Sequence, residues 1–235
     1  MGPEEFVPAA LKSIYFKLNP AFIKEIFKYS PCIYKQKLGF KITGVHLMVK
    51  KESKKEGKKE VKIVNIVVST SLEKDIPLEK MAATLPNTEY NPEQFPGLVL
   101  RIKDPKTSAL IFSSGKVVCT GARTLADVER SIQSIIRSLK KMNIHVTIKP
   151  EITVQNIVAS GSIGMDLNLN ILGVKLPHTE YEPEQFPGLV HKLKGTNATF
   201  LLFSNGKIVC TGTKTEQEVH DATDKLIENL KKLLK

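Results

Sequence analysis

The stretch TEYNPEQFPGLV (Thr88–Val99) returns as TEYEPEQFPGLV (Thr179–Val190), with one residue in twelve changed and 91 positions further on. FSSGKVVCTG (Phe112–Gly121) returns as FSNGKIVCTG (Phe203–Gly212), and VNIVVS (Val64–Ser69) as QNIVAS (Gln155–Ser160), both at the same offset. Three blocks in one register make a duplicated unit of about ninety residues. Solenoid repeats run to roughly 20–50 residues; this unit has the size of a small domain or half-domain. Two similar halves predict a pseudo-twofold body, and such a body suits a pseudo-symmetric partner. The chain accordingly divides into an N-terminal basic extension and charged linker of unknown role (1–60), a first repeat (61–150) and a second (151–235).

The charge is uneven. Of the net +11, residues 1–60 carry +7, from 13 Lys+Arg against 6 Asp+Glu, and the duplicated part carries +4. A basic balance favours nucleic acid or an acidic membrane as partner. Cys119 and Cys210 hold matching places inside apolar runs and read as buried small hydrophobes. With Cys32 they form no CxxC and no paired framework, so nothing calls for an oxidising compartment. No 18-residue apolar run exists, and MGPEEF is acidic where a signal peptide would be basic. These features predict a soluble intracellular protein.

Residues 1–49 hold apolar residues enough for one or two short helices, broken at Pro20 and ended near Pro31, then a weakly alternating strand. KKESKKEGKKE reads as a solvated linker. Each repeat then follows one plan. A strand (KIVNIVVST) leads to a short helix after Pro77, with Leu78, Met81, Ala82 and Leu85 at i, i+3, i+4 and i+7. A turn-rich stretch precedes the strands LVLRIK, SALIFSS and KVVCTG, the last two joined by a tight turn at Ser114–Gly115. Thr124 caps a long helix with Leu125, Val128, Ile132, Ile135, Ile136 and Leu139 on one stripe. Its counterpart starts at Thr215, with Val219, Ala222, Leu226, Leu230 and Leu233. The fold class is α+β: an antiparallel sheet with helices on one face.

Side chains alternate across a strand. Ile66 and Val68 oppose Asn65, Val67 and Ser69; Ala109 and Ile111 oppose Leu110 and Phe112; Val117 and Cys119 oppose Lys116, Val118 and Thr120. Helices cover one face, and in a half-solvated sheet the other is polar. Here both are apolar. A second sheet or a dimer partner would explain this, and so would a ligand that wants a wide apolar surface dotted with hydrogen-bonding groups and flanked by cations. A DNA minor groove rich in A·T pairs fits the second description: its floor offers only the acceptors N3 and O2 and lacks the guanine amino group.

The repeated EYxPEQFPGLV…LIFSSGKVVCTGA pattern with its NIV strands resembles the TATA-box-binding protein family over about residues 61–235, and PEQFPGL in both halves resembles its archaeal branch. The resemblance implies a saddle-shaped antiparallel sheet of two pseudo-symmetric repeats with helices on the convex face, minor-groove binding, and DNA kinked by apolar wedges. It implies wedge pairs Phe95 with Phe112 and Phe186 with Phe203, base donors Asn65 and Asn156 beside Thr120 and Thr211, and a floor of Val67, Val118, Val158, Val209, Leu110 and Leu201. Arg101, Lys192, Lys116 and Lys207 would meet phosphates. Glu182 and Glu184 would face transcription factor B, which brings RNA polymerase. The repeated loop would form the stirrup at each end of the saddle. No cofactor is implied, and the place of action is the cytoplasm with its nucleoid, or the nucleus in a eukaryote.

Three features depart from the family. Lys192 stands where arginine is usual, a point charge without the bidentate fork. KLKGTNAT replaces the DPKT turn in the second repeat, and residues 1–60 have no counterpart. Catalysis finds no support: His46, His145, His178, His191 and His220 are scattered without metal-ligand spacing, and neither GxSxG nor HExxH occurs. The competing reading is a binding module that uses the same sheet for single strands, by aromatic stacking, or for protein, or a divergent paralogue with altered preference.

Overall fold

The computed structural model describes residues 59–234; the helices, strand and linker expected within 1–58 lie outside the described residues. The first repeat comprises β1 (Glu60–Ser71), α1 (Leu78–Thr84), β2 (Thr88–Glu89), β3 (Gly97–Ile102), β4 (Thr107–Phe112), β5 (Lys116–Ala122) and α2 (Leu125–Lys141). The second repeats the order with β6 (Thr153–Ser162), α3 (Leu169–Lys175), β7 (Thr179–Glu180), β8 (Leu189–Lys192), β9 (Thr199–Leu202), β10 (Lys207–Thr213) and α4 (Glu216–Leu233). The strands hydrogen-bond in the order β2-β3-β4-β5-β1-β6-β10-β9-β8-β7. The α+β class expected from the sequence is the one found.

By packing, the chain forms two compact units. One holds residues 62–159 and 211–221, the first-repeat unit; the other holds, of the described residues, 59–61, 160–210 and 222–234, the second-repeat unit.

In the first-repeat unit the alternation settles which face meets the helices. Ile66, Val68, Ala109, Ile111, Val117 and Cys119 are buried, and with them Val128, Ile132, Ile135 and Leu139 of α2. Burying four such helix side chains contributes roughly 1.5–3 kcal/mol each. The Thr124 hydroxyl accepts from Asp127 N–H at 3.1 Å, the cap read from the sequence. Leu125, placed on the stripe by its spacing, is instead exposed in the first turn. A hydrogen bond of 2.8 Å between Thr107 and Ser131 satisfies two buried hydroxyls where sheet and helix meet. Burial pushes the Cys119 thiol up, and that of Cys210 up to about 12, as suits two cysteines used as apolar filling.

The SGK and NGK turns tie the first strand of each repeat to its hairpin. Leu72 and Ile76 N–H donate to the carbonyls of Gly115 (2.9 Å) and Ser113 (2.7 Å); Ile163 and Leu167 do the same to Gly206 (2.9 Å) and Ser204 (2.8 Å). Gly115 and Gly206 take φ of 78° and 73°, and a Cβ on either would collide with the main-chain oxygen of Lys74 or Met165. The KLKGTNAT segment solves its own problem differently: Leu193 N–H donates to Ala198 O (3.0 Å), with Gly195 at φ 77°.

His191 occupies the place that Leu100 holds in the first repeat, and it is buried. Among the described residues neither ring nitrogen is hydrogen-bonded. Burial holds its pKa below the usual histidine range, and the charge of His178 acts the same way; main-chain groups of Pro177 and His178 offset only part of this.

Two outcomes follow from these contacts. Gly206→Ala will cost about 1–3 kcal/mol of stability, read from the urea midpoint, because its strain adds to a backbone clash. For His191 the folded pKa lies below the unfolded value, so its neutral form stabilises the fold above the unfolded pKa, about 6.5. That stability is lost as pH falls through the folded pKa. His191→Leu will therefore raise the thermal midpoint at pH 5 more than at pH 8; equal shifts would remove the assignment.

A candidate nucleic-acid interface

The twelve repeated residues build the same object twice. The Thr88 hydroxyl donates to the carbonyls of Leu85 (3.0 Å) and Ala82 (3.3 Å), pinning the loop to the end of α1; Thr179 does so to Leu176 (2.9 Å) and Gly173 (3.3 Å) on α3. Phe95 N–H donates to Asn91 O at 2.9 Å, and Phe186 N–H to Glu182 O at 2.9 Å. The single substitution in the stretch therefore leaves the turn unchanged, since a carbonyl closes it and the side chain does not.

Each turn lays one phenylalanine against another. Phe95 and Phe112 have ring centroids 6.0 Å apart at 59°, and Phe186 and Phe203 6.1 Å apart at 66°. Tilted pairs at this separation suit the ring quadrupoles. The glycine of FPG makes the pairing possible. A Cβ on Gly97 would come within 2.7 Å of Phe95 Cε1 and 3.3 Å of Phe112 Cε1; on Gly188 it would come within 2.6 Å of Phe186 and 3.1 Å of Phe203. Sequence reasoning did not assign these glycines a role, although FPG in both repeats was the available signal.

The asparagines are held by a second repeated device. β5 carries one extra residue opposite β1, where the register steps from Ile66↔Ala122 to Val68↔Cys119. Gly121, at φ 98°, turns its N–H onto Asn65 Oδ1 (2.7 Å), and the Thr120 hydroxyl adds a bond of 3.2 Å. Gly212 (φ 92°) and Thr211 hold Asn156 Oδ1 likewise, at 2.8 and 3.3 Å. A main-chain N–H can only donate, so the atom facing it must be oxygen, and the amide orientation is fixed. The nitrogen is left as the outward donor. Asn156 Nδ2 reaches Thr211 Oγ1 at 3.0 Å, whereas Asn65 Nδ2 is buried without a hydrogen-bond partner among the described residues. An orphaned buried donor costs about 1–3 kcal/mol. A ligand that offered it an acceptor would recover that cost.

In the first-repeat unit Val67, Leu110, Phe112, Val118 and Thr120 are half-buried on the helix-free face, Phe95 is 46% exposed, and Arg101 and Lys116 are exposed. Arg101 Nη2 and Nε lie 2.9 and 3.2 Å from Glu89 Oε1, an exposed pair of the kind worth about 0–1 kcal/mol and so readily exchanged for another anion. The same unit contains Asn156, Val158 and Thr211, all buried. In the second-repeat unit Phe186, Leu201, Phe203 and Val209 are buried, Lys207 is half-buried and Lys192 exposed. Glu182 and Glu184 are exposed around the closed turn.

Among the described residues no cluster of His, Cys, Asp and Glu could hold a metal ion, and no helix is long and apolar enough to cross a membrane. Duplicated apolar half-sites, each with a paired-ring turn and a tethered amide, define a duplicated α+β binding protein.

The model of transcription factor TFIID, or TATA-binding protein, matches residues 60–142 and 151–233. The chain belongs to this family, whose members are DNA-binding transcription factors and not enzymes. The TATA-box-binding protein of Thermococcus kodakarensis is 48% identical over 172 residues, 73% of this chain and 90% of that one. That of Archaeoglobus fulgidus is 47% identical over 175 residues, 74% of this chain and 96% of its own. The solved Methanococcus jannaschii TBP superposes with a TM-score of 0.70 at 47% identity, covering 74% of this chain and 99% of that one.

The glycine–ring contact yields a structural test. Gly97→Ala will displace the Phe95 ring and abolish the nuclear Overhauser contacts between Phe95 and Phe112, while stability changes by no more than about 0.5 kcal/mol, because the ring end moves and the backbone does not.

Proposed function

We propose that this protein is a general transcription initiation factor that binds the TATA element of promoters through the minor groove. The tethered asparagine carries the reading. Its oxygen is occupied by a glycine N–H, so only a donor faces out, and a groove floor of N3 and O2 acceptors is its complement. The surrounding Val, Leu and Thr side chains tolerate A·T pairs and leave a guanine amino group unsatisfied. Arg101, Lys116, Lys192 and Lys207 supply the phosphate term that sets affinity without reading sequence.

The phenylalanine pairs act as wedges. Each unstacks a base step at a cost of a few kcal/mol, recovered through the larger contact with bent DNA. Glu182 and Glu184, exposed around a turn whose backbone is closed without their side chains, offer an acidic surface to transcription factor B and, through it, to RNA polymerase. No cofactor enters, and the action is on chromosomal DNA, in the nucleoid of an archaeal cytoplasm.

A duplex carrying donor and acceptor dyes at its ends tests this across a salt titration. An eight-base A·T element should bind and bend, while the G·C-rich version and the single strand should bind weakly and stay straight. Equal binding to all three, or preference for the single strand, would leave the fold with a different task. Phe112→Ala should reduce the bend together with affinity, and Lys116→Ala should weaken all duplexes alike and flatten the salt slope by about one unit. A Phe112→Ala variant that bends DNA normally would remove the wedges.

A further inference from the structure

The two half-sites match in sequence and differ in exposure. Val99, Leu110, Phe112 and Val118 are half-buried and Phe95 is 46% exposed; their counterparts Val190, Leu201, Phe203, Val209 and Phe186 are all buried, Leu201 to 1% and Phe186 to 7%. Along β9 and β10 the in–out alternation of β4 and β5 is gone. Strands that are apolar and buried on both sides have a layer on both sides. The burial arises within a single chain, so the cover is not a second molecule. It is not a duplicated element either, because the first-repeat unit has the same strands, turns and helices and its face stays open. The part of the chain without a counterpart is residues 1–58.

We infer that the N-terminal segment docks across the DNA-facing side of the second-repeat unit and covers the Phe186–Phe203 pair with Leu201 and Val209. The segment has the means. It joins the body at β1, and its apolar residues Ile23, Ile26 and Phe27 fall at i, i+3 and i+4, one face of a helix. Its +7 charge rules out mimicry of DNA, so the contact is apolar and competes with duplex for the same side chains. The inference deepens the proposed function: the first half-site is open to duplex, the second becomes available only when the segment leaves, and apparent affinity falls by the fraction of uncovered molecules.

Hydroxyl-radical footprinting read by mass spectrometry tests the cover without DNA. In the full chain Phe186 and Phe203 should be modified far more slowly than Phe95 and Phe112; in a chain starting at Lys59 the two pairs should react alike. That shorter chain is a fair test, because relatives aligned over 172–175 residues are covered to 90–96% of their own length. Ile23→Asp with Phe27→Asp in the full chain should open the face in the same way. Both changes should raise affinity for the A·T duplex about tenfold or more, as for a competent state populated at 10% or below. Equal modification of Phe203 in the full and shortened chains overturns the inference, as does protection that persists after shortening and grows with protein concentration, which would assign the cover to a second copy. Weaker duplex binding by the shortened chain also overturns it, making the segment a holding arm. If the face opens as expected but neither chain prefers A·T duplex, the cover stands and the promoter reading falls.

Discussion

Everything in the first-repeat unit depends on one arrangement: helices occupy a single face of an antiparallel sheet whose strands are apolar on both. Once Ile66, Val68, Ala109, Ile111, Val117 and Cys119 pack beneath α2, the remaining face cannot be hidden by that layer. The devices built on it follow from this. Its few polar groups are tied down by main-chain partners, so the surface stays shaped without being solvated. Its rings are paired, so they do not collapse onto the strands. Its cations stand at the margin, where water still reaches them.

Rigidity in these half-sites comes from glycine used in three distinct ways. At Gly115 and Gly206 the absence of Cβ admits a neighbouring carbonyl and joins the β1 and β6 exits to their hairpins. At Gly121 and Gly212 positive φ turns an N–H out of the ladder and onto an asparagine. At Gly97 and Gly188 missing volume makes room for a ring. A preorganised donor and a preorganised ring pair lower the ordering cost of binding, which helps a protein whose target must itself be deformed.

Much of this was legible in the sequence. The 91-residue offset gave the two copies, period-2 alternation gave β4 and β5, and Thr124 and Thr215 marked the starts of both long helices where the structure has them. The pattern alone left open which face the helices take, since both read as apolar; α2 decides it. The two-residue strands β2 and β7 lay inside a stretch that reads as turn, because two residues carry no period. The asparagine tether joins positions 56 apart through a bulge, and nothing local announces it. His191 was noted only as a scattered histidine; its isolation comes from packing. The unequal exposure of the half-sites is the clearest case, for stretches that agree at eleven of twelve positions hold no hint of it.

The carbonyl-closed turn at Asn91 and Glu182 has a further consequence. A duplicated reader of a near-palindromic groove has no inherent heading, and a promoter needs one. Positions whose side chains carry no folding duty are where twin modules can drift apart at no cost to either. This turn leaves such a position at its first residue, and the second copy has already used it to acquire a negative charge. Polarity along a gene can thus enter a symmetric architecture through a neutral site, long after the architecture was fixed.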